Sequence, residues 1–207
     1  MPNITAMFWD LGGVLLTNAW DHTERCAAVM QFGLDPTDFE NRHKRVVAAF
    51  ERGELSLDQY LDETIFYTDR PFSREVFRQF MFSRSQPNPE ALALARQLRA
   101  STRYFMATIN NESTELNLYR IQQFHLREIF DLFVSSCFVH LRKPDSAIYR
   151  LALNLTQRVP GECCLIDDRP ENLVPARQLG MHTIQMQGVD ALREELKRLG
   201  IQVDRRA

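Results

Sequence analysis

Ala6-Met-Phe-Trp-Asp-Leu-Gly-Gly-Val-Leu-Leu16 is an apolar run interrupted by one acid, Asp10, and by two glycines, Gly12 and Gly13. This order predicts a buried strand that ends at a carboxylate, followed by a tight turn in which the backbone must bend freely. Ligands of parallel α/β sheets collect at the carboxyl ends of the strands, so we expect Asp10 to lie at the functional edge of a sheet. An aspartate that only caps a turn is the alternative, because aspartate is common in turns.

Length and composition bound the class of protein. The chain has 207 residues, of which 44% are hydrophobic and 25% are charged, with a formal net charge of −2. These values fit one globular domain, or a core domain that carries an insertion. A charge so near neutral gives no electrostatic footprint for nucleic acid, and the four cysteines lack the C-x-x-C spacing of a metal or redox site. With no signal-peptide pattern and no apolar run of membrane-spanning length, we expect a cytoplasmic protein without a membrane partner.

The rest of the chain separates into a helical part and an alternating part. Residues 18–85 carry apolar residues at helical spacing and contain no convincing strand. From residue 86 onward, short apolar runs alternate with amphipathic helices, which is typical of a doubly wound parallel sheet. We therefore predict an α/β, Rossmann-like core formed by residues 1–17 and 86–207, with residues 18–85 inserted as an α-helical cap.

Four strands of the alternating part are expected to join the first strand in one sheet. They are predicted at Tyr104–Thr108, Leu132–Ser135, Cys163–Ile166 and His182–Ile184. The helices between and after them are predicted at Ser113–Gln123, Asp145–Leu155, Leu173–Leu179 and Val189–Leu199.

The second predicted strand ends at Thr108, in Tyr104-Phe-Met-Ala-Thr108, and is followed by Ile109, Asn110 and Asn111. A hydroxyl and backbone N–H groups at a strand-to-helix junction can hold phosphate oxygens. A helix N-cap explains Thr108 or Asn111 equally well when either is taken alone.

Lys143 directly precedes the helix predicted near Asp145. A cation at a helix N-terminus meets the positive end of the helix dipole, which is mildly unfavourable. An anion shared by the helix end and the lysine would remove this conflict, whereas an exposed lysine that points away is the alternative.

Asp167 and Asp168 end the apolar run Cys163-Cys-Leu-Ile166. Two adjacent carboxylates at a strand end repel each other unless solvent or a cation lies between them. Together with Asp10 they would offer the oxygen ligands that suit Mg²⁺. The alternative is that one of the two caps the following helix.

The order of these groups along the chain resembles that of the four motifs of the haloacid dehalogenase superfamily. Asp10, in Phe8-Trp-Asp-Leu-Gly-Gly-Val14, matches the nucleophile motif. The second, third and fourth motifs are matched by Thr108, by Lys143 in Arg142-Lys-Pro-Asp145, and by Asp167-Asp168. The segments that begin at Lys143 and Asp167 look closest to a subgroup with a helical cap. That subgroup includes bacterial sugar-phosphate phosphatases and the amino-terminal phosphatase domain of soluble epoxide hydrolases.

The resemblance implies a Mg²⁺-dependent phosphatase that acts on a small phosphorylated metabolite. Asp10 would attack the phosphate ester and form an aspartyl-phosphate, which water then hydrolyses. Mg²⁺ would be held by Asp10, the carbonyl of Gly12 and Asp168, with help from Asp167, and would neutralise the charge of the phosphate. The residues that would bind the transferring oxygens are Thr108, Asn110 and Lys143.

Gly12 is a departure from the family pattern, in which a second aspartate two residues after the nucleophile acts as general acid on the leaving group. General acid–base help is worth roughly 10²–10⁴-fold, so we expect a slow phosphatase, one that favours good leaving groups, or one that borrows an acid such as Asp21 or His22. A metal-independent 2-haloacid dehalogenase would also use Asp10 and would need no acid at position 12. A non-catalytic module that binds a phosphometabolite or a protein partner is the third interpretation.

Overall fold

The computed structural model describes residues 2–202. The strands are β1 (Ala6–Trp9), β2 (Phe105–Asn110), β3 (Leu132–Ser135), β4 (Cys163–Asp167) and β5 (His182–Gln185). They form one parallel sheet in the order β3-β2-β1-β4-β5, with β1 in the middle. The helices of the described residues are α1 (His22–Phe32), α2 (Pro36–Glu51), α3 (Leu57–Thr64), α4 (Arg74–Ser83), α5 (Pro89–Ala100), α6 (Thr114–Gln123), α7 (Ser136–Val139), α8 (Ser146–Thr156), α9 (Pro170–Gln178) and α10 (Val189–Arg198).

Strand β1 is buried on both faces, as a continuous apolar run in a parallel sheet requires. Successive residues of a strand point to opposite faces. Met7 and Trp9 accordingly belong to one hydrophobic cluster, whereas Ala6 and Phe8 belong to another on the opposite face. The predicted α/β fold with a doubly wound parallel sheet is therefore confirmed.

Strand β2 is longer than the sequence pattern predicts. Thr108 was expected to end it, but the strand continues through Asn110. The reason is that Ile109 and Asn110 still pair with β3, opposite Val134 and Ser135. The predicted position of Thr108 at the end of the strand is thus wrong by two residues. The other strand and helix bounds of the alternating part agree with the prediction to within about three residues.

Helices α1 to α4, called here the four-helix segment, follow β1 and precede α5. Aspartate or serine caps the start of each of these helices, and Ser56 and Gln59 form a capping box at the start of α3. Their apolar faces form a third hydrophobic cluster that includes Phe39, Phe77 and Phe80. The phenylalanines of this segment therefore mostly fill a helical core. The division into a core domain and a cap at residues 18–85 stays a prediction.

None of the helices in the described part of the chain combines the length and the apolar character needed to cross a membrane.

The chain crosses between the sheet and the four-helix segment twice, once near Thr17 and once near Ser85. Arg120 of α6 contacts both of these chain crossings. Its guanidinium donates to the hydroxyl oxygen of Ser85 (3.0 Å) and to the carbonyl oxygen of Thr17 (2.7 Å). It also forms an ion pair with the buried carboxylate of Glu112 at 3.2 Å. Because one crossing passes Thr17 and the other passes Ser85, a single buried cation fixes both relative to the sheet.

Arg120→Met should therefore destabilise the fold strongly. Methionine keeps part of the bulk but leaves Glu112 buried without its counter-charge, and removing one partner of a buried ion pair costs about 3–5 kcal/mol. Urea unfolding measures this loss. The control Arg198→Met breaks the exposed pair of Arg198 with Glu195 and should cost at most about 1 kcal/mol. Adding Glu112→Gln to Arg120→Met should recover part of the loss, and equal costs for Arg120→Met and the control would contradict this account.

Candidate active site

The carboxyl ends of β1 and β4 bring the predicted acids together. Trp9 pairs with Ile166 in the sheet, so the residues that follow them, Asp10 and Asp167, lie side by side. The N–H of Asp10 donates to the carbonyl oxygen of Ile166 at 2.9 Å, and the N–H of Leu11 donates to Asp10 Oδ1 at 2.7 Å. These two bonds fix the direction of the Asp10 carboxylate at the end of the strand.

Lys143 lies between two of these acids. Its Nζ atom is 2.8 Å from Asp10 Oδ2 and 2.6 Å from Asp167 Oδ2, and only 1% of its side chain is exposed. The side-chain amide of Asn111 holds the Lys143 backbone, since Asn111 Oδ1 accepts from the Lys143 N–H and Asn111 Nδ2 donates to the Lys143 carbonyl, both at 2.9 Å. The lysine that the sequence placed before a helix therefore points into the acidic site.

Burial and charge perturb the pKa values of these groups. Burial raises the pKa of Asp10 to about 7 even though the Lys143 ammonium opposes this shift, and the neighbouring charge of Asp167 adds to it. Burial alone would lower the pKa of Lys143, but Asp10 and Asp167 together outweigh it and raise that pKa. Burial and then Asp167 also raise the pKa of Asp168. Three carboxylates thus face one ammonium, which leaves an excess of negative charge.

This set of oxygens fits a hard divalent cation. Carboxylate oxygens of Asp10, Asp167 and Asp168 lie within 4.8 Å of one another. Asp168 Oδ1 is enclosed and has no hydrogen-bond partner among the described residues. Asp167 instead accepts from the Asn172 amide (2.9 Å) and from the backbone N–H of Arg169 (2.9 Å). A cluster of oxygen ligands with an enclosed, unpaired carboxylate oxygen matches what Mg²⁺ requires.

The two glycines after Asp10 are close to the same acids. Gly13 has φ of 69°, and a Cβ there would lie 2.1 Å from Asp168 Oδ2, so a larger residue does not fit. A Cβ on Gly12 would lie 2.7 Å from Asn18 Oδ1. The Nδ2 atom of Asn18 is in turn 3.5 Å from Asp168 Oδ2. Asn18 therefore occupies the space that the side chain of an acid at position 12 would need.

A cavity of about 450 Å³ opens above these residues, within the size range of small-molecule sites. From the sheet side, Asp10, Gly12 and Lys143 line it. The four-helix segment contributes residues such as His43 and Phe50. The cavity therefore lies between the sheet and the four-helix segment.

Two predicted phosphate-binding residues are placed differently. Thr108 is fully buried, and its hydroxyl has no partner within the described chain. Asn110 donates to Asn117 Oδ1 at 3.0 Å and accepts from the Ser135 hydroxyl at 2.8 Å. Among the described residues, those that line the cavity include neither of them. In the sheet register Thr108 lies beside Trp9, one residue before Asp10. Their role with phosphate stays a prediction.

The residues proposed as substitutes for the missing acid lie at the cavity but have other contacts. Asp21 lines the cavity and caps α1, because its carboxylate accepts from the Glu24 N–H at 3.0 Å. The side chain of His22 is 74% exposed. Asn111 is not a helix cap, because its side-chain amide forms hydrogen bonds with the backbone of Lys143. Sequence reasoning did not predict the roles of Asn18 and Asn111, since no spacing signal links them to Gly12 or Lys143.

The parallel α/β sheet thus collects a buried lysine and three aspartates beyond its central strands. The family model of the haloacid dehalogenase-like hydrolases matches residues 4–180, so the chain belongs to this family of hydrolases. The resemblance inferred from the motifs is thereby confirmed.

Sequence and structure comparisons find similar proteins among several kinds of enzyme. The chain is 26% identical over 219 residues to the bifunctional epoxide hydrolase 2 of Sus scrofa, an alignment that covers 97% of this chain and 40% of that protein. A haloacid dehalogenase-family enzyme of Bacteroides thetaiotaomicron, in complex with magnesium and inorganic phosphate, superposes with a TM-score of 0.73 at 18% identity, covering 89% of this chain and 94% of that one. An L-2-haloacid dehalogenase gives a TM-score of 0.62 at 21% identity, covering 88% and 84%. At these identities the two structures establish the fold alone.

Mg²⁺ should stabilise the protein more at pH 8 than at pH 5. The pKa of Asp10 is about 7, so below this pH a proton competes with the cation, and the stabilisation falls as pH falls. At a Mg²⁺ concentration near 100 times Kd, the melting temperature at pH 8 should rise by roughly 5–10 °C. Asp168→Asn should remove most of this rise, whereas Asp190→Asn, on the exposed face of α10, should retain it. An equal rise at both pH values would contradict the assignment.

A double-mutant cycle tests the contact between Gly12 and Asn18. Gly12→Ala should cost about 1 kcal/mol, at the low end of overpacking, because its Cβ meets only the end of the Asn18 side chain, which must turn away. In an Asn18→Ala background the same change should be nearly neutral, which gives a coupling energy above the error of about 0.5 kcal/mol for independent sites. Chemical unfolding of the four proteins provides the values. Additive costs would show that Asn18 does not fill the space at position 12.

Proposed function

We propose that this hydrolase cleaves a small phosphate monoester in a Mg²⁺-dependent reaction, with Asp10 as the nucleophile. One observation carries the proposal. The Asp10 carboxylate lies 2.8 Å from a buried ammonium and within a cluster of three carboxylates, so the same few ångströms offer a nucleophile, a cation for an anionic substrate and ligands for a metal. The complex of the B. thetaiotaomicron enzyme with magnesium and phosphate supports the same chemistry.

In the proposed mechanism, Asp10 Oδ2 attacks the phosphorus atom and the bond to the ester oxygen breaks. An aspartyl-phosphate forms and the leaving group departs as an alkoxide or phenoxide, which takes a proton from water; a water molecule then attacks the acyl phosphate, which releases inorganic phosphate and a proton and regenerates the carboxylate. Lys143 orients Asp10 and contacts a transferring oxygen of the phosphoryl group. Its positive charge therefore stabilises the negative charge on that oxygen during the transfer. Asn111 and Asp167 keep Lys143 in place. Mg²⁺, held by Asp10, Asp168 and the Gly12 carbonyl, would supply charge neutralisation for the phosphate.

The leaving group departs without an acid at position 12. Gly12 has no side chain, and Asn18, which fills the space, offers an amide that cannot donate a proton as an acid does. We therefore propose a phosphatase whose rate depends strongly on the leaving group. Aryl phosphates, whose alcohols leave readily as anions, should react faster than alkyl phosphates.

Two other functions are less well supported. A metal-independent 2-haloacid dehalogenase would share the fold and Asp10, but it would gain nothing from Asp168, whose Oδ1 is enclosed and unpaired in the described structure. A non-catalytic module is favoured only by the absence of an acid at position 12. The proposed substrate is a small metabolite in the cytoplasm, with no nucleic-acid or membrane partner.

The decisive experiment is a metal-dependence assay on p-nitrophenyl phosphate. We expect turnover with Mg²⁺, loss of turnover in EDTA, and a loss of about 10³-fold or more in Asp10→Asn, because the nucleophile is gone. The control Asp190→Asn changes an exposed carboxylate that does not line the cavity and should keep full activity. Turnover of glycerol 3-phosphate should be slower than that of the aryl ester.

Each alternative predicts a different outcome. Metal-independent release of chloride from 2-chloropropionate would replace the proposal with dehalogenation. Failure to hydrolyse aryl, sugar and nucleotide phosphates with Mg²⁺, Mn²⁺ or Co²⁺ would indicate a binding module.

A further inference from the structure

His43 is a buried polar residue of α2 that the proposed reaction does not use. Only 5% of the residue is exposed, yet it lines the same cavity as Asp10 and Lys143. Most lone histidines on a helix face are structural. His43 differs from these in the surroundings of its two ring nitrogens.

The first nitrogen, Nδ1, ends a chain of hydrogen bonds inside the four-helix segment. The indole Nε1–H of Trp20 donates to the Tyr60 hydroxyl at 2.9 Å, and this hydroxyl lies 2.8 Å from His43 Nδ1. Tyr60 has one hydroxyl hydrogen, which it can donate to Nδ1 when that nitrogen carries no hydrogen. In this arrangement Trp20 donates to the hydroxyl oxygen, Tyr60 donates to His43, and Nδ1 is unprotonated.

The imidazole is neutral, and in this arrangement its hydrogen is on Nε2. Burial lowers the pKa of His43 to about 4, and the nearby charge of Arg25 adds to this shift. At neutral pH the ring carries one hydrogen, and because Nδ1 accepts from Tyr60 that hydrogen belongs to Nε2. The ring of Phe50 stacks on Tyr60 with centroids 4.1 Å apart and so holds the hydroxyl in position.

The second nitrogen, Nε2, faces the cavity. It has no hydrogen-bond partner in the described chain, and it is not among the enclosed polar atoms that lack one. Since His43 lines the cavity, the space that Nε2 reaches is the cavity itself. Trp20 and Phe50 line the same wall, so this part of the site consists of aromatic surface with one N–H donor.

We propose that His43 is a specificity-determining residue whose Nε2–H donates a hydrogen bond to a hydroxyl or carbonyl oxygen on the leaving group of the substrate, with Tyr60 as the positioning residue that sets its tautomer. This inference rests on the proposed phosphatase function for the identity of the substrate. The class of ligand is a phosphate ester whose leaving group carries an oxygen acceptor, as a sugar phosphate does and phenyl phosphate does not. A site built to donate to such an oxygen rejects an analogue that lacks it.

Binding to the Asp10→Asn variant with Mg²⁺ tests the contact without requiring turnover. The probes are phenyl phosphate, glycerol 3-phosphate and glucose 6-phosphate. At least one oxygen-bearing ester should bind more tightly than phenyl phosphate. Adding His43→Asn should weaken that ester by about tenfold and change phenyl phosphate by no more than about twofold, as expected for one lost hydrogen bond.

The substitutions His43→Asn and His43→Gln distinguish the contributions of the two ring nitrogens. Asparagine places its amide near Nδ1, so it can still accept from Tyr60 but cannot reach the cavity. Glutamine places its amide nearer to Nε2, so His43→Gln should restore most of the lost affinity. Equal effects of His43→Asn on all three esters, or no preference for an oxygen-bearing ester in the parent, would overturn the inference.

The tautomer has its own measurement. In ¹⁵N spectra of the histidine side chains, His43 should carry its hydrogen on Nε2, and Tyr60→Phe should shift it toward a mixture of tautomers while the other histidines remain unchanged. A hydrogen on Nδ1 in the wild-type protein would overturn the inference. Neither test depends on hydrolysis: a wild-type protein that fails to hydrolyse phosphate esters but shows the expected binding pattern would refute the proposed reaction and support the role of His43.

Discussion

The ammonium of Lys143 lies between the carboxylates of Asp10 and Asp167, and the edge of the sheet depends on this contact. Two buried carboxylates and a third that is partly buried would repel one another at the ends of neighbouring strands, and the repulsion is strong where water is excluded. One lysine compensates part of that charge and leaves the rest for a cation and an anionic ligand to balance. Without a ligand, the site therefore keeps uncompensated negative charge. Many binding sites have this property, and here it lowers the stability of the protein when no ligand is bound.

This contact is supported by residues that do no chemistry. Asn111 holds the backbone of Lys143, and the neighbouring Arg142 forms an ion pair with Glu51 of α2 at 2.6 Å. The loop that carries the lysine is thus anchored both to the end of β2 and to the four-helix segment. Arg120 ties the two chain crossings to the sheet on another side of the same cavity. Relative motion of the two parts would therefore act directly on the position of Lys143.

The sequence was sufficient for the elements whose signals are local. Apolar runs followed by acids located β1 and β4, because a buried parallel strand needs a continuous apolar stretch. The end of β2 has no local sequence signal, because Ile109 and Asn110 are kept in the strand by pairing with β3. Asn18, Asn111 and His43 were likewise invisible, because each acts on a residue far away in sequence and asparagine and histidine have ordinary structural roles elsewhere.

The contact between Gly12 and Asn18 has a consequence for how this site can change. An aspartate at position 12 meets Asn18 before it reaches any substrate, so the mutation that would supply the absent acid is unfavourable by itself. Asn18 must first become smaller or turn away, and its own contact with Asp168 opposes that. The effect of an acid at position 12 therefore depends on the residue at position 18, so substitutions at the two positions should be epistatic.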